Sequence, residues 1–351
     1  MSVLATKSER ELSADIKAGR LANVYLFYGE EGYLKRHCTE RIVKKAVSDF
    51  FDFNYHRFDR NLKLNDLAAA CDSVPMMSDF SVVEVRDYNF AAASDSEHKQ
   101  LISLLESPNE SCILIFVFDE TPMPGAKNKK GKAVLDLIGK NGCIVDFERK
   151  SEGELSSLLV RRANKRSVNL QPTVAKRIIA LCGNDIENLL TEVDKLCDYV
   201  GEGGAVSDRE VDAIVTRTLD ASAFALASAV CSKRRDEAMK ICADLFDMKT
   251  EPVMIIGALS SVFVDIYRVK AAAAEGLRPE DIAADLGYGK ATFKLRNAAN
   301  NGRCMTQSSA FKALEVLREA DLALKTSRSD GRIAVECAIV RLLHIAAGDS
   351  E

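Results

Sequence analysis

A loop that holds nucleotide phosphates needs the pattern GxxxxGK[ST]. Its backbone N–H groups and Lys surround the phosphates, and its hydroxyl meets magnesium. Two stretches of this 351-residue chain come near that pattern. Gly29-Glu30-Glu31-Gly32-Tyr33-Leu34-Lys35-Arg36 has two glycines but places Glu30 and Glu31 where a polyphosphate would lie. Two carboxylates there repel an anion. No Lys-Ser or Lys-Thr pair follows. Gly125 to Lys132 (GAKNKKGK) has a spacer one residue too long, and Ala133 stands where the hydroxyl belongs. Phe118-Asp119-Glu120 closes an apolar run as a Walker B pair would. Without a phosphate loop that acidic pair reads as a strand-end turn or a vestige. ATP hydrolysis by this chain is not expected.

Other catalytic patterns are thin. The four histidines, His37, His56, His98 and His344, show no metal-ligand spacing, and no GxSxG elbow is present. The ten cysteines form no CxxC pair. Most lie among apolar residues, as Cys112 does beside Ile113-Leu114-Ile115, and read as buried small hydrophobes in a reducing compartment. The expectation is no catalytic residue, no metal and no cofactor.

The elements that would position these residues fall into two kinds. Up to residue 147, apolar strand-like runs alternate with helical spacing. Asn23–Tyr28, Phe53–Phe58, Ser81–Val85, Cys112–Phe118 and Cys143–Phe147 read as strands; Glu31–Ser48, Leu64–Cys71, Glu97–Glu106 and Ala133–Lys140 read as helices. Runs apolar on both faces, separated by helices, imply a covered parallel sheet. Beyond Phe147 the pattern is helical. Ser151–Val168, Val174–Cys182, Ile186–Val200 and Asp208–Val215 form one group, with Gly183 and Gly201–Gly204 as stops. About six more segments run from Ala221 to Ala347, broken at Pro252, Gly276, Gly287, Gly302 and Gly331. This predicts an α/β domain over 1–147, a helical lid over 148–217 and a helical domain over 218–351, an arrangement of the AAA+ type.

The chain is 47% hydrophobic and 28% charged, so wholesale disorder is excluded. Its 48 basic and 52 acidic residues give a net charge of -4, which excludes a strongly cationic coat for nucleic acid but not a local basic face. The N-terminal residues show no apolar signal segment. The longest uncharged apolar-rich run, Pro252–Val264, is short of the ~20 residues that span a bilayer. A cytoplasmic protein with no membrane partner is expected.

Four segments resemble the delta subunit family of bacterial DNA polymerase III clamp loaders. They are NVYLFYGEEGYLKR (Asn23–Arg36), SVPMMSDFSVVEVRDY (Ser73–Tyr88), GNDIENLLTEVDKLCDYVG (Gly183–Gly201) and LALKTSRSDGRIAVECAIVRLL (Leu322–Leu343). Each is moderately specific; the ordered set, spanning nearly the whole chain, is more so. The resemblance implies a degenerate AAA+ α/β domain, an all-α lid and an all-α oligomerisation collar. It also implies a role: to bind and open the ring-shaped sliding clamp beside ATP-hydrolysing clamp-loader subunits and a delta-prime subunit, with primed DNA held in the assembly. The family's clamp-binding wedge maps to Met76 and Met77 after Pro75, with Phe80 as a possible helper. A Leu-Phe type pair is common there, so Met-Met is a departure. Read by themselves, Val74, Met76 and Met77 fit equally well as core residues beneath a loop. Two adjacent Met side chains adapt to an irregular pocket, and an anchor in a pocket is the usual form of a hot spot.

Basic clusters would serve DNA phosphates: Lys127, Lys129 and Lys130 in one Gly-containing loop, and Arg161 and Arg162 on one helix. Each is also an ordinary solvated face. Ser327-Arg328-Ser329 lies in the collar and is not assigned an arginine-finger role. Two rival functions stay open. One is a helix-turn-helix regulator over Pro279–Asn297, with Lys290, Thr292, Lys294 and Arg296 on its recognition helix. The other is an active AAA+ ATPase with an unrecognised loop.

Overall fold

The computed structural model describes residues 6–119, 128–283, 285–288, 292–326 and 330–348. Two compact units divide the chain, Met1–Arg149 and Lys150–Glu351.

The first unit is built on a six-stranded, all-parallel sheet. Its strands are β1 (Thr6–Lys7), β2 (Val24–Tyr28), β3 (Tyr55–Phe58), β4 (Ser81–Arg86), β5 (Cys112–Val117) and β6 (Cys143–Asp146), in the order β1-β6-β2-β5-β4-β3. The short strand β1 pairs with β6 at one edge, and β3 forms the other. The helices are α1 (Glu9–Lys17), α2 (Gly32–Ala46), α3 (Phe51–Asn54), α4 (Leu64–Cys71), α5 (Asp95–Glu106) and α6 (Lys129–Asn141). Alternate strand residues face opposite ways. Val24, Leu26, Val83, Val85, Leu114 and Phe116 join Leu67, Leu101, Leu105 and Ile138 in one core layer. The intervening Tyr25, Phe27, Val82, Ile113, Ile115 and Val145 are equally buried, as are Leu34, Cys38 and Ile42 of α2. A sheet covered on both faces explains why β5, CILIFV, carries no alternation.

The segment 53–58 departs from its sequence pattern. The strand begins only at Tyr55, and residues 51–54 form one helical turn entered through Phe50, whose φ is 49°. The helix α1 and the strand β1, which carry no apolar-run signal, precede the first strand read from sequence. Ser8 and Glu11 close a reciprocal capping box on α1, and the same Ser-x-x-Glu device caps α5.

The second unit holds α7 (Glu152–Asn164), α8 (Pro172–Cys182), α9 (Ile186–Val200) and α10 (Asp208–Ile214) around a small parallel ladder of β7 (Asn169–Leu170) and β8 (Ala205–Val206). It continues through α11 (Leu219–Cys231), α12 (Arg235–Asp247), α13 (Pro252–Ala274), α14 (Pro279–Ala283), α15 (Thr292–Asn301), α16 (Gln307–Thr326) and α17 (Gly331–Gly348). The break between α11 and α12 falls at Lys233, with φ 60°, where neither Gly nor Pro marks it. Among the described residues, α13 alone is long and apolar enough to cross a membrane. Its Ile255, Ile256, Leu259, Phe263 and Ile266 are buried in the core shared by α11–α17. All ten cysteines are free, and only Cys304 and Cys337 are exposed.

Candidate functional site

Open parallel sheets bind ligands outside the carboxyl ends of their strands. Here the loop after β2 runs into α2, and the end of β5 lies beside it. Gly29 has φ 107°, and a Cβ there would lie 2.6 Å from both Asp146 Oδ1 and the Phe147 carbonyl oxygen, so only glycine fits. The Glu31 N–H donates to the Phe147 carbonyl oxygen at 2.9 Å, closing the loop onto the strand beside it. Glu31 is buried and precedes the first turn of α2; Glu30 pairs with Arg149 at 3.4 Å. The helix N-terminus where a phosphate would settle therefore already carries two carboxylates. Gly32 opens the helix and is half-buried.

Lys35 fills the crevice itself. Its side chain is 1% exposed, and Nζ donates to the Gly29 carbonyl oxygen at 2.8 Å and to the Phe118 carbonyl oxygen at 2.5 Å. Asp119 Oδ1 lies 3.3 Å away. The ammonium thus satisfies the carbonyls just beyond the ends of two adjacent strands, β2 and β5. Burial lowers its pKa, against the pull of Asp119. Lys35 stands six residues after Gly29, the spacing of a phosphate-loop lysine, with Leu34 and Arg36 in place of the glycine and the hydroxyl residue. Arg36 follows it, so no Lys-Ser or Lys-Thr pair marks it in the sequence.

From Asp119 a polar chain crosses the strand ends toward β3. Arg86 donates to Asp119 at 2.7 Å and to Glu84 at 2.5 Å, and Tyr55 donates to the buried Glu84 carboxylate. Burial opposes the charge on Arg86, but Glu84 outweighs it and raises the pKa. Burial and the Glu84 hydrogen bond push the Tyr55 hydroxyl up. Glu120, the second residue of the Walker-like pair, lies outside the described residues.

The second feature is an exposed apolar loop between α4 and β4. Met76 is 49% and Met77 75% exposed, and Val74 is 90% exposed. Pro75 and Phe80 are half-buried. Met77 has φ 51°, a left-handed conformation that costs a bulky residue about 1–3 kcal/mol. A loop that exposes a large apolar residue while holding it in a strained conformation needs external support.

Asn54, fully buried, supplies that support. Its Nδ2 donates to the Met76 carbonyl oxygen at 2.8 Å, and its Oδ1 accepts from the Met76 N–H at 2.7 Å. The side-chain amide pairs with the Met76 backbone as a neighbouring strand would. Nδ2 also reaches the Asp49 carbonyl oxygen at 2.8 Å. Ser78 Oγ donates to the Asp49 carbonyl oxygen at 3.0 Å and accepts from the N–H groups of Ser48 and Asp49 at 3.2 Å. The loop is therefore tied to residues 48–54, which expose Phe50 (48%), Phe51 (53%) and Phe53 (64%). Sequence reasoning missed these three rings. The strand pattern over Phe53–Phe58 takes in one of them, and Phe50 and Phe51 precede it.

The basic clusters differ in how they are engaged. Lys129 is exposed, whereas Lys130 donates to the Ala93 carbonyl oxygen at 2.9 Å and pairs with Asp95 at 2.7 Å. Arg161 is exposed, whereas Arg162 makes a two-point contact with Asp194 at 2.8 and 2.7 Å. Lys127 lies outside the described residues, as do Lys290 and Ser327-Arg328-Ser329. In the segment read as a helix-turn-helix, Arg296 pairs with Glu280 at 2.6 Å, while Leu295 and Ala298 are buried in the helical core. Both features match a packed helix pair.

Comparisons with known proteins agree with each other. The family model described as "DNA polymerase III, delta subunit" matches residues 25–148, and the model of that subunit's C-terminal domain matches residues 220–342. DNA polymerase III subunit delta of Bacillus subtilis (strain 168) is 23% identical over 336 residues, covering 93% of this chain and 95% of its own length. The probable DNA polymerase III subunit delta of Aquifex aeolicus (strain VF5) is 22% identical over 281 residues, covering 78% and 76%. Among solved structures, the Bacillus subtilis DNA clamp loader delta protein has the same fold. Its TM-score is 0.76 at 22% identity, over 96% of this chain and 99% of that one.

Proposed function

Because this chain belongs to the DNA polymerase III delta subunit family, we propose that it binds and opens the sliding clamp within a clamp loader that places the ring on primed DNA. The observation that carries this reading is the exposed Met76-Met77 pair, Met77 in a left-handed conformation, on a loop held from behind by Asn54. The two methionines enter an apolar pocket on the ring, with Pro75 and Phe80 bounding the knob. A pocket that is better formed in the open ring makes the wedge bind that state more tightly, and this differential affinity shifts the ring toward opening. ATP is spent by partner subunits. In this chain Lys35 occupies the crevice and Glu30 and Glu31 stand at the helix N-terminus, which supports a role without nucleotide.

The second unit is used in two parts, a lid over 148–217 and a collar over 218–351. The collar assembles with the ATP-hydrolysing subunits and delta-prime. Contact with primed DNA is electrostatic and local. Lys129 and Arg161 carry it better than Lys130 and Arg162, whose charges are already engaged by Asp95 and Asp194. The protein works in the cytoplasm.

Burying the exposed parts of two Met side chains is worth about 2–4 kcal/mol in total. The double variant Met76→Ser/Met77→Ser should therefore bind the purified sliding clamp roughly 30- to 1,000-fold more weakly. Its helical circular dichroism should match wild type. Undiminished binding would defeat the reading, and loss of the helical signal would mark the pair as core.

A further inference from the structure

The Met pair is not the whole of the exposed apolar surface on this unit. Residues 48–54 and 72–80 are joined through Asn54 and Ser78, and together they expose Phe50, Phe51, Phe53, Val74, Met76 and Met77. Both segments contain a residue in the left-handed region, Phe50 at φ 49° and Met77 at φ 51°. Such a backbone at two bulky apolar residues persists only where the surroundings enforce it, and in each case the outcome is an exposed side chain. Phe50 and Phe53 lie edge to face, with centroids 6.4 Å apart. The Phe51 ring packs at a tilt against Tyr55, with centroids 5.0 Å apart, which links this turn to the Glu84 network.

Charge frames the same surface. The two segments, SDFFDFN and DSVPMMSDF, contain Asp49, Asp52, Asp72 and Asp79 and no Lys or Arg. All four acids are exposed. Apolar anchors inside a charged rim are the usual anatomy of a specific interface, and the sign of the rim states what its partner must carry.

We infer that the ring-binding surface is composite: Phe50 and Phe53 form a second anchor beside Met76 and Met77, and the four aspartates face Lys and Arg around an apolar pocket on the ring. This deepens the proposed function and rests on it. The methionines supply adaptable contacts, and the rings supply rigid area at small entropy cost. Phe51, anchored on Tyr55, holds the turn in place.

The test uses the full chain and the purified sliding clamp of the same organism, with binding followed by surface plasmon resonance. Phe50→Asn tolerates the left-handed backbone and Phe53→Ser removes an exposed ring, so the double variant should melt as wild type does. It should bind the ring at least about tenfold more weakly, mainly through faster dissociation. Asp52→Lys/Asp79→Lys should slow association at least about threefold at roughly 50 mM salt, and this deficit should shrink at about 500 mM. If both double variants bind as wild type while Met76→Ser/Met77→Ser loses binding, the composite surface is wrong and the Met wedge stands alone. If the Met variant also binds as wild type, the proposed function fails, and this inference with it.

Discussion

The support beneath the exposed loop rests on one buried side chain, so Asn54→Ala is an informative perturbation. It removes a bond donated to Met76 O, one accepted from Met76 N–H and one donated to Asp49 O, at 2.8, 2.7 and 2.8 Å. A net contribution of about 1 kcal/mol for each bond gives about 3 kcal/mol in total. If that energy holds the loop on residues 48–54, release becomes about 150-fold easier. Hydrogen exchange of the Met76 amide reads this directly, because Asn54 Oδ1 is the acceptor of that N–H. Its exchange should accelerate by about two orders of magnitude, while amides of β2 and β5 keep their protection. Affinity for the ring should fall several-fold although both methionines are intact. Asn54→Asp keeps the acceptor but sets a carboxylate against two carbonyl oxygens. It should be at least as damaging near neutral pH and recover in part in acid, where a protonated carboxyl can donate. Unchanged Met76 exchange and unchanged ring affinity in Asn54→Ala would refute this account of how the loop is presented.

Three further outcomes follow from the same geometry. Gly29→Ala places a Cβ 2.6 Å from backbone and carboxylate atoms at φ 107°, and should cost at least about 3 kcal/mol in urea unfolding; a loss under about 0.5 kcal/mol would contradict the close approach. Lys35→Met strips the Gly29 and Phe118 carbonyls of their donor and should destabilise by about 1–3 kcal/mol. Titration of Mg-ATP should give no saturable heat in either protein, and micromolar binding abolished by this substitution would show a working phosphate loop. The Arg162 hydrogen bond, outweighing burial, holds the Asp194 carboxyl below its usual range of about 3.8. Stability from this pair is present above that pH and is lost as pH falls through the lowered pKa. Arg162→Gln should therefore flatten acid unfolding below about pH 4, and an unchanged acid profile would show that the pair contributes nothing.

The fold was legible where burial is simple. The parallel sheet was readable because β2 and β5 are apolar on both faces and β4 and β6 carry short apolar cores, and the helix Leu64–Cys71 matched its apolar spacing to the residue. Legibility failed where one residue redirects the backbone. Phe50 takes a left-handed conformation without being Gly, so the turn into α3 left no signal. The candidate site divides in the same way. A resemblance located Met76 and Met77, but their exposure depends on Asn54, twenty-two residues away in sequence. Glu30 and Glu31 were readable as obstacles to phosphate. The place of Lys35 was not, because a buried lysine is identified by the carbonyls it meets and those come from two strands. The exposed ring of Phe53 falls in a run that reads as a strand, since composition cannot separate a covered aromatic from one awaiting a partner.

We propose that this chain opens a ring through the Met76-Met77 wedge without using nucleotide itself. The most direct measurement is release of a fluorescent sliding clamp, previously loaded on a nicked circular DNA, by this chain alone and without ATP. The account predicts that wild type accelerates release in proportion to its occupancy of the ring, and that Met76→Ser/Met77→Ser leaves release at its spontaneous rate. Release that requires ATP, or that proceeds equally well with the double variant, would contradict it.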